Sequence, residues 1–199
     1  GRPMGDVEIK FTEDFEILIK TKAMLQKYYK NPEATAEAID KEGWFHTGDI
    51  GHFTDEGYLK ITDRKKDIII TSGGKNIAPQ KIESLLKMQP NISQCVIVGD
   101  KKKYLSVVIG IEKESFNTDI NTINDETTLA ELSIKPEVLE IIEKQIMIVN
   151  QGLAKFETIK KFYIAPVEFT TDNYLTPSLK IKKGLVIEAF KNKIDSMYN

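Results

Sequence analysis

Three prolines divide this chain and constrain its fold more than any other feature. Pro32, Pro79 and Pro136 each stand ahead of residues that favour helix. Proline holds φ near the helical value and lacks the N–H that a helix's first turn leaves unpaired, so it suits the first helical position. Asn31 supplies a cap acceptor before Pro32, predicting a short helix through Ile39. After Pro79, Ile82, Leu85 and Leu86 share one face. After Pro136, Val138, Ile141, Ile142, Ile146 and Val149 keep helical spacing over a longer run.

Short apolar runs fill the intervals. Residues 6–11 alternate apolar and polar, residues 16–20 do so approximately, and the polar Thr12-Glu13-Asp14 lies between them, which predicts a hairpin. Residues 50–54 and 58–62 flank a second turn, where Gly57 can take a positive φ. A strand over 67–70 leads to the pair Gly73-Gly74, and further strands fall at 94–99, 104–111 and 161–165. Residues 113–133 read as a polar surface excursion with short helical pieces, and a final helix is expected over 181–197. Strands dominate before residue 63, and strands alternate with helices after it. The expected fold class is α+β, a small sheet flanked by helices preceded by a β-rich piece.

Composition narrows the function. A chain of 199 residues can bury one core, or one core and a smaller lobe. A net charge of −2 offers no basic field for nucleic acid, so no nucleic-acid partner is expected. The single cysteine, Cys95, lies in the apolar run Cys95-Val96-Ile97-Val98 and reads as a buried strand residue. One cysteine forms no intrachain disulfide, which favours a reducing compartment. No eighteen-residue apolar run and no signal peptide stand out. The start, Gly1-Arg2-Pro3-Met4-Gly5, reads as the middle of a longer chain. His46 and His52 have no cysteine or third histidine beside them, so both read as structural or surface residues and no metal is expected on them.

The chemistry gathers at the second hairpin. If Phe53 faces Tyr58 across the turn, Asp49 comes level with residues near 62, and Asp49 and Arg64 meet at the hairpin's open end. A carboxylate beside a guanidinium there is either a surface ion pair of little energetic value or a clamp for a vicinal diol, the carboxylate accepting from two hydroxyls.

The surrounding blocks bear on that choice. Gly43-Trp44-Phe45-His46-Thr47-Gly48-Asp49, then Gly57-Tyr58-Leu59, then Asp63-Arg64-Lys65-Lys66-Asp67, then Ser72-Gly73-Gly74-Lys75-Asn76-Ile77 follow in order. Upstream stands Tyr28-Tyr29-Lys30-Asn31-Pro32-Glu33-Ala34-Thr35, with Lys27 where glycine would complete the pattern, and near the end stands Leu175-Thr176-Pro177-Ser178-Leu179-Lys180. In order and spacing, from about residue 1 to the end, these blocks resemble the adenylate-forming superfamily of acyl-CoA synthetases, peptide-synthetase adenylation domains and luciferase. The resemblance implies that Asp49 and Arg64 hold the ribose of ATP and of the acyl-adenylate, and that Lys66 is the hinge residue. It implies that Gly73 and Gly74 lie in the loop that meets the pantetheine arm of CoA, and that Lys180 is the catalytic lysine of adenylation.

Residues 150–162 and the Leu179-Lys180 ending, where peptide-synthetase domains read Gly-Lys, resemble the long-chain fatty acid–CoA ligase branch. That likeness implies fatty acid, ATP and CoA as substrates, a cytoplasmic enzyme, and peripheral association with a membrane as a further expectation. A fatty acyl-AMP ligase passing its adenylate to a carrier protein, and a non-catalytic nucleotide- or partner-binding module, are the alternatives. Residues 1–63 would be the end of the large N-terminal domain, within its β-barrel-like subdomain, and residues 64–199 the mobile C-terminal domain. The superfamily's Ser/Thr/Gly-rich phosphate loop and its Tyr-Gly-x-Thr-Glu block are absent from the sequence. The Mg²⁺ site and the acyl pocket are therefore expected in an N-terminal domain in cis, and the chain alone is expected not to turn over ATP.

Overall fold

The computed structural model describes residues 1–116, 120 and 126–199. The chain forms two compact units, Gly1–Ile68 and Ile69–Asn199.

The first unit is built on β1 (Glu8–Phe11), β2 (Glu16–Lys20), β3 (Phe45–Phe53) and β4 (Leu59–Arg64), antiparallel and in that order. The sheet is open, ending in β1 and β4, so these four strands by themselves close no barrel. Ile17, Leu18 and Ile50 are its buried apolar residues. Helix α1 (Pro32–Ala38) starts as Asn31 and Pro32 dictate: the Asn31 Oδ1 accepts the Ala34 N–H at 3.0 Å. At the β3–β4 turn Gly57 has φ +78° and donates to the Thr54 carbonyl at 2.8 Å. A 3₁₀ turn (Lys65–Asp67) follows β4, so the strand expected from residue 67 starts only at Ile69.

The second unit opens with a two-stranded sheet of β5 (Ile69–Ile70) and β6 (Asn76–Ile77), the latter not foreseen from sequence. Helix α2 (Pro79–Lys87) leads into the larger sheet, β7 (Gln94–Val98), β8 (Leu105–Gly110) and β9 (Ile159–Ile164). Strand β8 pairs antiparallel with β7 and parallel with β9, and every residue of β8 is buried. Both faces of the sheet are covered, so successive residues enter opposite cores. Cys95, Ile97, Val107 and Ile109 join Ile82 and Leu86 of α2 and Ile142 and Ile146 of the long helix Pro136–Gln151. Val96, Val98 and Val108 join Phe169, Val186 and Phe190.

Within 113–133, a 3₁₀ turn (Lys113–Phe116) and α3 (Leu129–Leu132) are the short helical pieces expected. Phe116 and Leu132 are fully buried, which ties both ends of the segment into the core rather than leaving it on the surface. Positions 117–119 and 121–125 lie outside the described residues. After α4 (Pro136–Gln151), the single helix expected over 181–197 is two, α5 (Lys183–Ala189) and α6 (Lys191–Ser196). Phe190 breaks it: its ring packs among Tyr163, Phe169 and Tyr174, with centroids 5.6, 6.4 and 5.7 Å away.

Candidate active site

In the first unit β3 and β4 bring Asp49 and Arg64 together. The two are direct partners in the ladder, and Arg64 Nε lies 2.9 Å from Asp49 Oδ1. The register differs from that read in the sequence. Phe53 pairs with Leu59, and a bulge between Ile50 and Gly51 inserts one further residue, so Asp49 meets Arg64 instead of residue 62. Gly51 permits this, since a Cβ there would stand 2.5 Å from the Lys60 carbonyl oxygen and 2.7 Å from Ile17 Cδ1. The arginine is half-exposed and the aspartate mostly covered, so the pair by itself adds little to stability. One oxygen of the carboxylate is engaged by the guanidinium, and a carboxylate can accept from the two hydroxyls of a vicinal diol.

The turn before Asp49 is tied from below. Thr47 Oγ1 donates to the Ile17 carbonyl at 2.7 Å and accepts the Asp49 N–H at 3.0 Å. Gly48, at φ +69°, donates its N–H to Glu16 Oε1 at 3.0 Å. Glu16 is 5% exposed and its other oxygen lies 2.9 Å from Lys65 Nζ and 3.3 Å from His46 Nδ1. Lys65 also pairs with Asp14 at 2.8 Å, and His46 Nε2 stands 3.7 Å from Asp40 Oδ2. Burial raises the Glu16 pKa, but Lys65, His46 and the Gly48 N–H together outweigh it and leave the group below its ordinary value. Glu16, His46, Thr47, Gly48, Arg64 and Lys65 line one groove of about 640 Å³, a size usual for small-molecule sites. Sequence reading missed Glu16 as part of this arrangement. The available signal was alternation, which puts this carboxylate on the same strand face as buried Leu18. Lys66 is exposed in the 3₁₀ turn that follows the unit's last strand.

In the second unit, Gly73 and Gly74 form the β5–β6 turn, closed by the Gly74 N–H to the Thr71 carbonyl at 2.9 Å. Gly74 has φ +72°, which the turn itself requires. A Cβ on Gly74 would meet nothing within 4 Å, and one on Gly73 only Thr71 Oγ1 at 4.0 Å. The loop therefore has open space beside its backbone, room for a thin ligand to approach.

Lys180 lies on a separate loop, a tight turn between the bridge partners Leu175 and Ile181. The Thr176 N–H donates to the Lys180 carbonyl at 2.8 Å, and its Oγ1 accepts the Lys180 N–H at 3.0 Å. Leu179, exposed beside it, adopts φ +60°, a left-handed conformation that side chains other than glycine's rarely take. Among the described residues the Lys180 ammonium has no ion-pair or hydrogen-bond partner. The base of the loop is fixed: Lys182 Nζ reaches the Asn173 carbonyl at 3.2 Å, and Lys183 pairs with buried Glu83 at 2.9 Å. This gives a free cation on a rigid mount, suited to charge neutralisation during reaction. Among the described residues, no group of three or more His, Cys, Asp or Glu side chains is placed to hold a metal ion.

The long-chain-fatty-acid–CoA ligase FadD15 of Mycobacterium tuberculosis is 37% identical over 202 residues, covering 100% of this chain and 34% of that protein. Long-chain-fatty-acid–CoA ligase 5 of Mus musculus is 35% identical, over 92% of this chain and 27% of its own length. The chain thus spans about a third of the length of the curated relatives it matches. Among solved structures, the adenylation domain of a carboxylic acid reductase from Segniliparus rugosus, in complex with AMP and a co-purified carboxylic acid, aligns with a TM-score of 0.80 at 22% identity. That match covers 99% of this chain and 32% of the other, and is a likeness of fold. The loops that carry Gly73-Gly74 and Lys180 both fall within residues 66–199, which a family model matches, and by that match the chain belongs to the AMP-binding enzyme C-terminal domain family.

Proposed function

We propose that this chain is part of a long-chain fatty acid–CoA ligase, joining fatty acid to CoA with the cleavage of ATP through an acyl-adenylate. The observation that carries the proposal is the 37% identity to a ligase of that description over the whole chain. The ion pair of Asp49 and Arg64 and the unpaired Lys180 supply groups suited to the chemistry. In the first step a carboxylate oxygen of the fatty acid attacks the α-phosphorus of ATP and pyrophosphate leaves. In the second, the CoA thiolate attacks the acyl carbonyl and AMP leaves. Asp49 accepts from the ribose hydroxyls in both steps, with Arg64 holding its orientation. Lys180 offsets the charge that gathers as two anions are forced together, an effect on the order of 3–4 kcal/mol for one well-placed group. The backbone of Gly73-Gly74 lies along the pantetheine arm, and Lys66 is the point about which the C-terminal domain turns between steps. On this reading that domain begins near residue 64, and Mg²⁺ and the acyl chain are held by an N-terminal domain in cis. A cytoplasmic enzyme in peripheral contact with membranes fits a substrate that partitions into lipid. No helix among the described residues is long and apolar enough to cross a membrane.

In the full-length protein, Lys180→Ala should lower adenylation a hundred- to thousandfold while largely sparing thioester formation from supplied acyl-adenylate. Equal loss of both half-reactions would sink the assignment. Offering CoA and acyl carrier protein side by side to the full-length enzyme separates the ligase from an acyl-AMP ligase.

A further inference from the structure

Within the first unit one buried carboxylate serves two elements that lie far from it in the sequence. Glu16 Oε1 receives the Gly48 N–H at 3.0 Å, one residue before Asp49. Glu16 Oε2 receives Lys65 Nζ at 2.9 Å, one residue after Arg64 and one before Lys66. A single side chain therefore restrains both halves of the Asp49–Arg64 pair and the start of the 3₁₀ turn. The arrangement is rigid because the carboxylate is nearly inaccessible and its contacts come from strand, turn and lysine at once. The charges facing it are His46, itself beside Asp40, and the Lys65 ammonium, which is shared with Asp14. Nothing in β2 needs a carboxylate for packing: its neighbours Ile17 and Leu18 are core residues, and an apolar side chain would fill the site without desolvation. A buried charge that retains partners on both sides of a binding pair is explained by position rather than by stability.

We propose that Glu16 and Lys65 form a positioning couple for the nucleotide clamp, setting Asp49 through the Gly48 turn and Arg64 through the backbone of Lys65. Neither touches substrate; both act through the clamp. The proposal rests on the reading of Asp49 as the ribose-binding carboxylate. It makes the two oxygens of Glu16 separable. Glu16→Gln keeps an acceptor for Gly48 and loses the charge that holds Lys65, whereas Glu16→Ala loses both.

The test uses the full-length enzyme, with adenylation followed by pyrophosphate exchange and active sites counted by titration. Glu16→Ala should raise the KM for ATP about tenfold or more with a smaller change in kcat, and Glu16→Gln should raise it severalfold. Lys65→Met should raise it at least as much as Glu16→Gln, because it strands the deeper partner, and the double variant Glu16→Gln/Lys65→Met should be no worse than Lys65→Met alone, because both substitutions remove the same Glu16–Lys65 contact. The KM for fatty acid should stay within twofold throughout. A merely structural role predicts fewer active sites with an unchanged KM for ATP, and that result would overturn the proposal. Additive effects of Glu16→Gln and Lys65→Met in the double variant would overturn it too. Should Glu16→Ala fail to fold, Glu16→Gln and Lys65→Met carry the same decision. Asp49→Ala is the control. If it leaves the KM for ATP unchanged, the ribose reading itself has failed; if it raises that KM while the Glu16 and Lys65 variants do not, the positioning couple alone is refuted.

Discussion

Glu83 gives the sharpest test of how the Lys180 loop is mounted. This residue lies in α2 and is 6% exposed. Its Oε1 accepts the Ile97 N–H of β7 at 3.1 Å and its Oε2 pairs with Lys183 at 2.9 Å, three residues beyond Lys180. Glu83→Ala leaves the Ile97 N–H buried without an acceptor, at about 1–3 kcal/mol. It also strands the Lys183 ammonium. A fully buried orphan charge would cost about 3–5 kcal/mol, but the Lys183 side chain is 28% exposed and can rehydrate, so about 1 kcal/mol is the better figure. The sum is about 2–4 kcal/mol. Glu83→Gln keeps an acceptor for Ile97 and loses only the charge, for about 1 kcal/mol. Lys183→Met should be worse than Glu83→Gln, because it strands the deeper partner, whose side chain is 8% exposed. The assay is thiol labelling of Cys95 against urea concentration, since that residue is buried in the second unit and Trp44 reports only on the first. A loss below about 1 kcal/mol for Glu83→Ala, or equal losses for alanine and glutamine, would refute the reasoning.

Two further outcomes follow from the titrating groups. Burial raises the Cys95 pKa far above the range where thiolate exists at neutral pH, so a disulfide reagent should label the folded chain at least a hundredfold more slowly than the chain in strong urea; equal rates would mean the thiol is exposed. In the first unit, Lys65 holds Asp14 below its ordinary 3.8, and Glu16 also lies below its ordinary 4.5 despite the opposing push of burial. Both are depressed, so their contribution is present in full above those values and is lost as pH falls through the folded-state pKa values. Lys65, raised above 10.5 by Asp14 first and then Glu16, contributes fully below 10.5 and loses that contribution as pH rises through its folded value. Urea midpoints followed by Trp44 fluorescence should therefore be flat between about pH 5 and pH 10 and fall below about 4.5, with a shallower acid fall in Lys65→Met. Parallel acid limbs would exclude Lys65 as the cause.

What was legible in the sequence was local. Pro32, Pro79 and Pro136 each begin a helix in the structure, because the restriction lies within the residue itself. The meeting of Asp49 and Arg64 was legible as well, since a hairpin fixes which residues share its open end. Its register was not. A one-residue bulge depends on how closely Gly51 approaches Lys60 and Ile17, and a period-two pattern carries no mark of that. The break at Phe190 depends on rings brought from residues 163, 169 and 174, contacts invisible to helical periodicity. Glu16 escaped notice because a carboxylate in a strand ordinarily faces water, and its partners lie about thirty and fifty positions away. The block resemblance reached Lys180, but the left-handed Leu179 beside it follows from the fold of the turn, not from its letters.

The parallel pairing of β8 with β9 bears on how the second unit comes into being. Leu105 partners Ile159, so about fifty residues must be added before β8 gains its second neighbour, whereas β7 reaches it through a short turn. At usual rates of synthesis that is roughly 3–10 s. During this interval a nascent chain carries the strand Leu105–Gly110, wholly buried in the finished unit, with one backbone edge unpaired and its apolar faces only partly covered. An edge of this kind is a template for pairing with other chains. The order of the elements thus leaves the newborn chain vulnerable at β8, and it is the arrival of β9 that ends the exposure.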